Sequence, residues 1–445
     1  MPAIEKVISA IERKRVVRLI DDHRKDWSLQ QAFYLDPDIF ELERQLWFPR
    51  QWVIVAHASE LPEKGSYIIR NLFDEEIILA RHGDGPDDIA AFYNVCTHRG
   101  SRLCTKDGRG RLMVCPYHAW AFRLTGELQT RRDLPEGVNP DELGLHKVPS
   151  KVIGGLVLCG LEPAHLPDIE PAAAGLTDLL LENGVGNAKI IARKSYLTKA
   201  NWKLVLENFL ECYHCRPAHP EYFRVNGHVK VTAMRDEYKA KEWQEEIEAW
   251  HSVIGDAEFD KGVWEPGDLD TTPFAMHRKP IGSGRLTLSD DGQPVSCLMG
   301  GRSSYDGGEN GFRIGRLSFL SAPNDYLTMF QMVPRSANET DVILTWLVDR
   351  DADANVDPEK ISWMWDVTTV QDKKITEDNA EGVASRAYRP GPYTPLESQA
   401  AFFVETYLSQ MRELITGDRA SSKQEWGAPS QLFASPKATC NTRRL

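Results

Sequence analysis

The 445-residue chain predicts an α+β protein, with a small all-β unit near the start and a larger unit of long antiparallel strands and helices after it. Three observations predict this. Between Gln51 and about Gly160, short β-rich runs (QWVIVAH, GSYIIRN, EEIILARH, IAAFYNV, RLMVCPYH, GELQT, GGLVLCG) are separated by Gly, Asp and Pro turns, the spacing of a compact barrel or sandwich. Farther on, GFRIGRLSFL, DYLTMFQMVP and DVILTWLVDR alternate between turns bearing Asn, as consecutive antiparallel strands do. The stretches around 201–222 and after Asp357 instead repeat apolar residues at helical spacing.

Taken in order, residues 1–48 form a helical packing arm. Ile4, Val7, Ile8 and Ile11 share a helical stripe, and FELERQLWF reads as a helix ending near Pro49. The all-β unit covers 49–162 and the larger unit 163–418. The latter opens with a connector around Pro163 to Ala174 and the strand AKIIARKSYL. In NWKLVLENFLECYHCRPAHPEY, Trp202, Leu206, Phe209 and Tyr213 recur at helical spacing, and Pro217 should stop the helix just short of itself. Glu211 and His214 then fall on its last turn and His219 on the bend beyond. Within 221–310, GRLTLSDDGQPV resembles a hairpin with an Asp-Gly turn. Asp357-Pro358 supplies an N-cap and first-turn proline for a helix running toward Ser385. Residues 419–445, rich in Ser, Ala, Lys and Arg, read as a mobile tail.

Composition narrows the class. With 42% hydrophobic and 27% charged residues the chain has the make-up of an ordinary globular protein, an enzyme being the expected class, and 53 basic against 65 acidic residues, a net charge of −12, argue against nucleic acid or an anionic membrane as a partner. Neither a signal peptide nor an apolar run of about eighteen residues occurs, so a cytoplasmic location is expected. Eight cysteines (96, 104, 115, 159, 212, 215, 297 and 440) are scattered along the chain, where metal or redox use is expected over a disulfide framework. Cys104, Cys159, Cys297 and Cys440 lack a histidine at ligand spacing and read as small hydrophobes or inert thiols.

The remaining cysteines and histidines carry the chemistry. Cys96-Thr-His98 and Cys115-Pro-Tyr-His118 lie on neighbouring β-loops, sixteen residues apart. By ligand count they could hold one zinc. One Cys and one His per loop suits better a two-iron cluster with Cys₂ on the inner iron and His₂ on the outer. A bend after His214 would let His214 and His219 converge, whereas an unbroken helix would turn them roughly 140° apart. With one carboxylate they would form the open three-ligand face used by non-haem Fe(II). On the helix after Asp357, Ile361, Trp365, Thr368, Asp372, Ile375 and Asn379 share one stripe, while Asp366 and Asp378 lie roughly 120° off it. Asp372 is therefore the expected third ligand, with Asp378 the alternative. Glu211, three residues before His214, suits a hydrogen bond to that imidazole; Asn208 and Glu207 stand nearby.

Together, Cys96-Thr-His98-Arg99-Gly100, Cys115-Pro116-Tyr117-His118-Ala119-Trp120 and Glu211-x-x-His214-x-x-x-x-His219 resemble the large (alpha) subunit of a Rieske non-haem iron oxygenase, from about Trp47 to about Leu408. The resemblance implies a Rieske 2Fe-2S domain inserted in a larger catalytic domain of helix-grip (START-like) type, and a mononuclear Fe(II). It points to Asp372 as the aspartate ligand, because VQDKKITEDNAEGVASRAYRPGPY looks like the segment that carries it. It also implies that Glu211 links this iron to His118 in a neighbouring subunit, within a ring of three copies. No dinucleotide fingerprint follows a strand, so electrons must come from a separate NAD(P)H-dependent flavin/iron-sulphur reductase. ENFLECYHCRPAHPEY, RKPIGSGRLTLSDDGQPV and RPGPYTPLE resemble enzymes acting on quaternary ammonium compounds such as glycine betaine, choline, carnitine or proline betaine. Two other readings stand beside this one: an oxygenase of aromatic rings or aromatic carboxylates, and a pure electron carrier, for which nearly 300 residues beyond the cluster unit would have no use. Trp365 and Phe209 are candidate walls for a cationic substrate.

Overall fold

In a computed structural model of the protein, the described residues are 10–129, 134–226, 237–255, 263–264, 274–282 and 284–417. Ile4, Val7, Ile8, Cys440 and the 419–445 tail lie outside them. The N-terminal arm is less regular than a single helix: α1 (Ala10–Asp21), α2 (Gln31–Leu35) and α3 (Pro37–Leu42) are followed by a π-turn over Glu43–Trp47 and a 3₁₀ turn over Phe48–Arg50. Asp36 accepts the Asp38 N–H and so starts α3 with Pro37 in its first turn, where no backbone donor is needed.

Ten short strands then build the all-β unit: β1 (Val53–His57), β2 (Ser66–Leu72), β3 (Glu75–Arg81), β4 (Ile89–Tyr93), β5 (Gly108–Arg109), β6 (Leu112–Val114), β7 (Ala121–Arg123), β8 (Lys147–Val148), β9 (Ser150–Ile153) and β10 (Leu156–Cys159). They form a five-stranded sheet β5-β2-β3-β4-β8, a three-stranded sheet β1-β10-β9 and the ribbon β6-β7. GELQT contributes only the bridge between Leu128 and Phe122.

Beyond it, α4 (Glu170–Glu182) stands where a connector was expected, because Ala172, Leu176 and Leu180 make a buried stripe. Next come β11 (Ala188–Thr198), α5 (Trp202–Phe209), α6 (Cys215–Ala218), α7 (Pro220–Val225), α8 (Glu237–Ile254), β12 (Val263–Trp264), β13 (Phe274–Pro280), β14 (Gly308–Ile314), β15 (Ser318–Ala322), β16 (Leu327–Ser336), β17 (Glu339–Asp349), α9 (Pro358–Val383) and α10 (Ser398–Thr416). Six long strands and the two-residue edge strand β12 make one antiparallel sheet, in the order β11-β17-β16-β15-β14-β13-β12. GFRIGRLSFL is a hairpin rather than one strand. Gly315 turns it at φ +72°, where a Cβ would meet the Trp52 carbonyl at 2.3 Å. GRLTLSDDGQPV turns at Asp291-Gly292 but has no ladder. Ser289 Oγ binds the Gln293 carbonyl at 2.8 Å and Thr287 Oγ1 binds Asp325, so side chains take the place of strand pairing.

Side-chain alternation gives the sheet two covered faces. Phe312, Ile314, Leu320, Leu327 and Met329 pack with α4, whereas Phe319, Phe330, Met332, Leu344 and Trp346 belong to the core that contains Ile361, Met364 and Trp365 of α9. That core also takes in the N-terminal arm and α10, with Trp47 stacked on Trp202 at 4.8 Å and Tyr407 edge-on to both. Beneath these rings Lys203 and Glu43 are both fully buried, 2.6 Å apart, and Glu43 also accepts from Trp202 Nε1 at 2.7 Å and from the Tyr407 hydroxyl. Glu43→Ala strands the Lys203 ammonium and should cost about 3–5 kcal/mol. A thermal or denaturant midpoint close to wild type would contradict that.

Candidate active site

The two Cys–His loops are built alike. Cys96 N–H donates to the Ser101 carbonyl (2.8 Å) and Gly100 N–H to that of Cys96 (2.9 Å). In the second loop Cys115 N–H donates to Trp120 (2.7 Å) and Ala119 N–H to Cys115 (3.0 Å). The fourth residue after each cysteine is left-handed, Gly100 at φ +71° and Ala119 at +58°. This conformation turns the histidines outward and the sulphurs inward: Cys96 and Cys115 are buried, while His98 and His118 are exposed with ring centroids 4.6 Å apart. Trp120 stacks on His98 at 4.5 Å and Tyr117 on His118 at 3.8 Å. Two buried sulphurs on the inner side and two outward imidazoles make a donor set that fits a two-iron cluster with thiolates on one iron and imidazoles on the other.

The second centre forms where α5 ends. The helix stops at Phe209, earlier than the expected Pro217. Glu211 lies in the following turn, His214 is the N-cap of α6, and Pro217 is accommodated inside the first turn of that short helix. His219 closes α6 at φ −125°, ψ 73°, and Pro220 starts α7. The two imidazoles thus converge through two short helices. His219 Nε2 lies 3.0 Å and His214 Nε2 3.4 Å from the same Asp372 oxygen, Oδ1. His219 Nε2 and Asp372 Oδ1 are both buried without a hydrogen bond, so they converge without being aligned as donor and acceptor. Three donors aimed at one point fit a divalent iron.

The opposite ring nitrogens are held. His214 Nδ1 lies 2.5 Å from Glu211 Oε1, and because a carboxylate only accepts, Nδ1 carries the proton. His219 Nδ1 lies 2.9 Å from Gln371 Oε1, whose Nε2 donates to Glu221 at 2.7 Å. The Nε2 lone pair of His219 is therefore left for a metal, while that of His214 accepts from Asn208 Nδ2 at 3.3 Å in the metal-free chain, a bond a metal would replace. In the metal-free chain burial opposes a charged His214, but Asp372 and Glu211 outweigh it and lift its pKa to about 9.

The competing aspartates are accounted for. Asp366 binds Lys194 at 2.9 Å and the Tyr196 hydroxyl, and Asp378 pairs with Lys374 on the surface. Gln371 and Glu221 were missed, although the rule that a ligand histidine needs a partner for its second nitrogen calls for such residues. Cys212 and Cys215 are joined as a disulfide, Cα–Cα 4.9 Å, against the expectation of metal or redox use; the turn after α5 brings the pair together at the start of α6. Cys104 and Cys159 are buried thiols whose pKa burial raises, Cys104 to about 11, and Cys297 is exposed.

Beside Asp372 is a pocket lined by Asn208, Phe209, Phe330, Trp365 and Thr369. Aliphatic side chains, threonines and Lys373 complete the lining, and its aromatic members cluster. Phe209 packs on Phe319 (4.5 Å) and Phe330 (5.3 Å), Phe330 stands edge-on to Trp365 (5.1 Å), and Tyr222 packs on Trp365 (5.4 Å). Glu207 points away from it, accepting from Tyr34 at 2.9 Å and Tyr393 at 2.8 Å. Burial raises its pKa to about 7 from an ordinary 4.5, against those hydrogen bonds and Lys203. The folded protein keeps this proton up to about pH 7 and the unfolded chain releases it near 4.5. The group's contribution is therefore full below the lower value and lost as pH rises to the upper one. Glu207→Gln should gain in melting temperature relative to wild type as pH rises from about 4.5 to about 7, by up to about 3 kcal/mol of stability. A difference independent of pH would contradict this assignment.

Comparison with known proteins agrees with these two centres. Residues 51–147 match the Rieske [2Fe-2S] domain, and residues 185–413 match the ring hydroxylating alpha subunit (catalytic domain), the domain that holds mononuclear iron. The glycine betaine monooxygenase oxygenase subunit of Chromohalobacter salexigens is 33% identical over 93% of this chain and 92% of its own length. The same-named subunit of Pseudomonas aeruginosa is 31% identical over 94% and 96%. The carnitine monooxygenase oxygenase subunit of Escherichia coli is 35% identical over 54% of this chain and 60% of its own. In fold, the chain is similar to the quaternary ammonium Rieske monooxygenase CntA (TM-score 0.64, 23% identity, 88% and 98% covered) and to naphthalene 1,2-dioxygenase from Rhodococcus sp. (0.61, 18%, 91% and 99%). No described helix is long and apolar enough to cross a membrane. With both domains matched in order and the likeness running nearly end to end, the chain belongs to the Rieske non-haem iron oxygenases as an alpha, or oxygenase, subunit.

Proposed function

We propose that this oxygenase subunit hydroxylates a small N-methylated quaternary ammonium compound at a carbon next to nitrogen. At an N-methyl carbon, the resulting hemiaminal breaks down to formaldehyde and the demethylated amine. The observation that carries this reading is the cluster of Phe209, Phe330 and Trp365 lining the pocket beside Asp372, the carboxylate on which His214 and His219 converge. A quaternary nitrogen neither donates nor accepts hydrogen bonds, and aromatic faces attract it by about 0.5–2 kcal/mol each. The near full-length likeness to two glycine betaine monooxygenase oxygenase subunits supports the same class.

In this reading the sheet curved over α9 is a helix-grip fold, Cys96, His98, Cys115 and His118 hold the 2Fe-2S cluster, and His214, His219 and Asp372 hold Fe(II). The iron, when bound, supplies the activation of dioxygen. Glu211 and Gln371 orient the two imidazoles, and Asn208 places an amide beside His214 Nε2 at the pocket wall. Glu211 also relays electrons from His118 of a neighbouring copy in a ring of three. Exposed Val95, Val114 and Tyr117 around the cluster loops, and Leu197, Tyr213 and Val370 on the catalytic part, are apolar surface of the kind a copy-to-copy contact covers. An oxygenase subunit implies a separate reductase, here taken to be an NAD(P)H-dependent flavin/iron-sulphur protein.

Assay of the purified oxygenase with a competent reductase, NADH and a panel of glycine betaine, carnitine, choline, proline betaine, benzoate and phthalate tests the class. Product formation from an N-methylated member, with formaldehyde where an N-methyl is attacked, is expected. Coupled turnover confined to the aromatic acids would instead favour an aromatic-carboxylate oxygenase.

A further inference from the structure

On β14, Asn310 and Phe312 face α4: Asn310 bonds Asn183 at the end of that helix, and Phe312 packs with its apolar stripe. By alternation Glu309 faces the other way, toward α9. It is 4% exposed. One carboxylate oxygen, Oε1, accepts from Ser321 Oγ at 2.6 Å, and Ser321 Oγ in turn accepts from Trp365 Nε1 at 3.1 Å. The other oxygen, Oε2, has no hydrogen-bond partner among the described residues, and none of their basic side chains forms an ion pair with Glu309. Lys279, opposite Glu309 in register, forms no such pair. The carboxylate is therefore tied through Ser321 to the pocket tryptophan by one oxygen, while its other oxygen is buried without a partner. Tyr222 packs on the same tryptophan at 5.4 Å, and burial, then the charges of Glu309 and Asp372, push its phenol pKa up. A buried carboxylate with an unmet acceptor costs several kcal/mol unless a partner arrives.

We propose that Glu309, joined through Ser321 to the pocket residue Trp365, is the specificity-determining counter-charge of the substrate pocket, its unpartnered oxygen turning to the quaternary nitrogen of a cation held against Trp365. This rests on the substrate class proposed above and goes beyond it. Aromatic faces favour a trimethylammonium group and also accept a tert-butyl group of the same shape, whereas a fixed negative charge separates the two.

The test is calorimetric binding to the iron-loaded oxygenase of glycine betaine and of 3,3-dimethylbutanoate, its uncharged-headgroup isostere with the same carboxylate tail. Wild type should bind the betaine at least about tenfold more tightly, as a desolvated charge pair would make it. Glu309→Gln should bring the two within about threefold, by weakening the betaine and leaving the isostere unchanged or tighter, with the cluster's visible spectrum intact. Ser321→Ala keeps the charge and should retain most of the gap. A wild type that binds both ligands equally overturns the proposal without any variant, as does a Glu309→Gln protein that keeps the gap or loses both ligands alike. If wild type demethylates glycine betaine while the variant keeps the gap, only this inference fails. If no quaternary compound is bound or turned over, the substrate class fails and Glu309's role with it.

Discussion

Asp372→Ala should leave a protein with its Rieske spectrum intact but about one iron short of the expected three per chain, and oxygenation should fall by more than about a thousandfold. The expectation follows from geometry. Asp372 is the only carboxylate shown within reach of both His214 Nε2 and His219 Nε2 among the described residues, and it sits half-buried on α9, in line with the buried Trp365 and Thr368. Burial would raise its pKa, but the two histidines reverse that and hold it below the ordinary value, so an anion is ready at the ligand position. Removing it leaves two neutral imidazoles, too weak a set to retain the ion through purification. Asp378→Ala removes only a surface pair with Lys374 and should change neither metal content nor rate. Iron analysis with the visible and EPR spectra of both variants checks this. Loss of iron in the Asp378 variant would reassign the ligand.

Glu211→Gln should keep all the iron and yet slow single-turnover electron transfer to the mononuclear site by about a hundredfold, at the upper end for a group that supports a metal ligand. Glu211 Oε1 accepts from His214 Nδ1–H at 2.5 Å, and Oε2 accepts from the Tyr213 N–H. Glutamine can satisfy one of these but presents an NH₂ group to the other, and it lacks the charge that polarises the imidazole. A rapid-mix experiment that follows cluster oxidation in the reduced, substrate-bound protein reads the step directly. Wild-type rates in the variant would reduce Glu211 to scaffold.

Much of the site was legible in the sequence because its signals are local. Cysteine and histidine two or three residues apart on a loop, two histidines separated by a proline, and a carboxylate on an apolar helical stripe all declare themselves within a few turns of chain. Helix ends were less so. Pro217 signals a break, but the helix had already ended at Phe209, and a proline in the first turn of α6 costs no hydrogen bond. Nothing local marks Gln371 as the partner of His219 or Glu309 as the neighbour of Trp365, since each pairing joins residues from distant elements. The disulfide between Cys212 and Cys215 depends on a turn the sequence placed in a helix. Helix α4 was missed because it opens on Pro171 and a run of alanines, although proline is tolerated there.

The most direct test of the central claim is the coupling of oxygen, NADH and product in the iron-loaded oxygenase with its reductase and glycine betaine. The account predicts that oxygen consumed, NADH oxidised and formaldehyde released are equal in amount, with the dimethylated amine as the second product. Oxygen and NADH consumed without formaldehyde from this or any other N-methylated compound, alongside tight coupling on benzoate or phthalate, would contradict it.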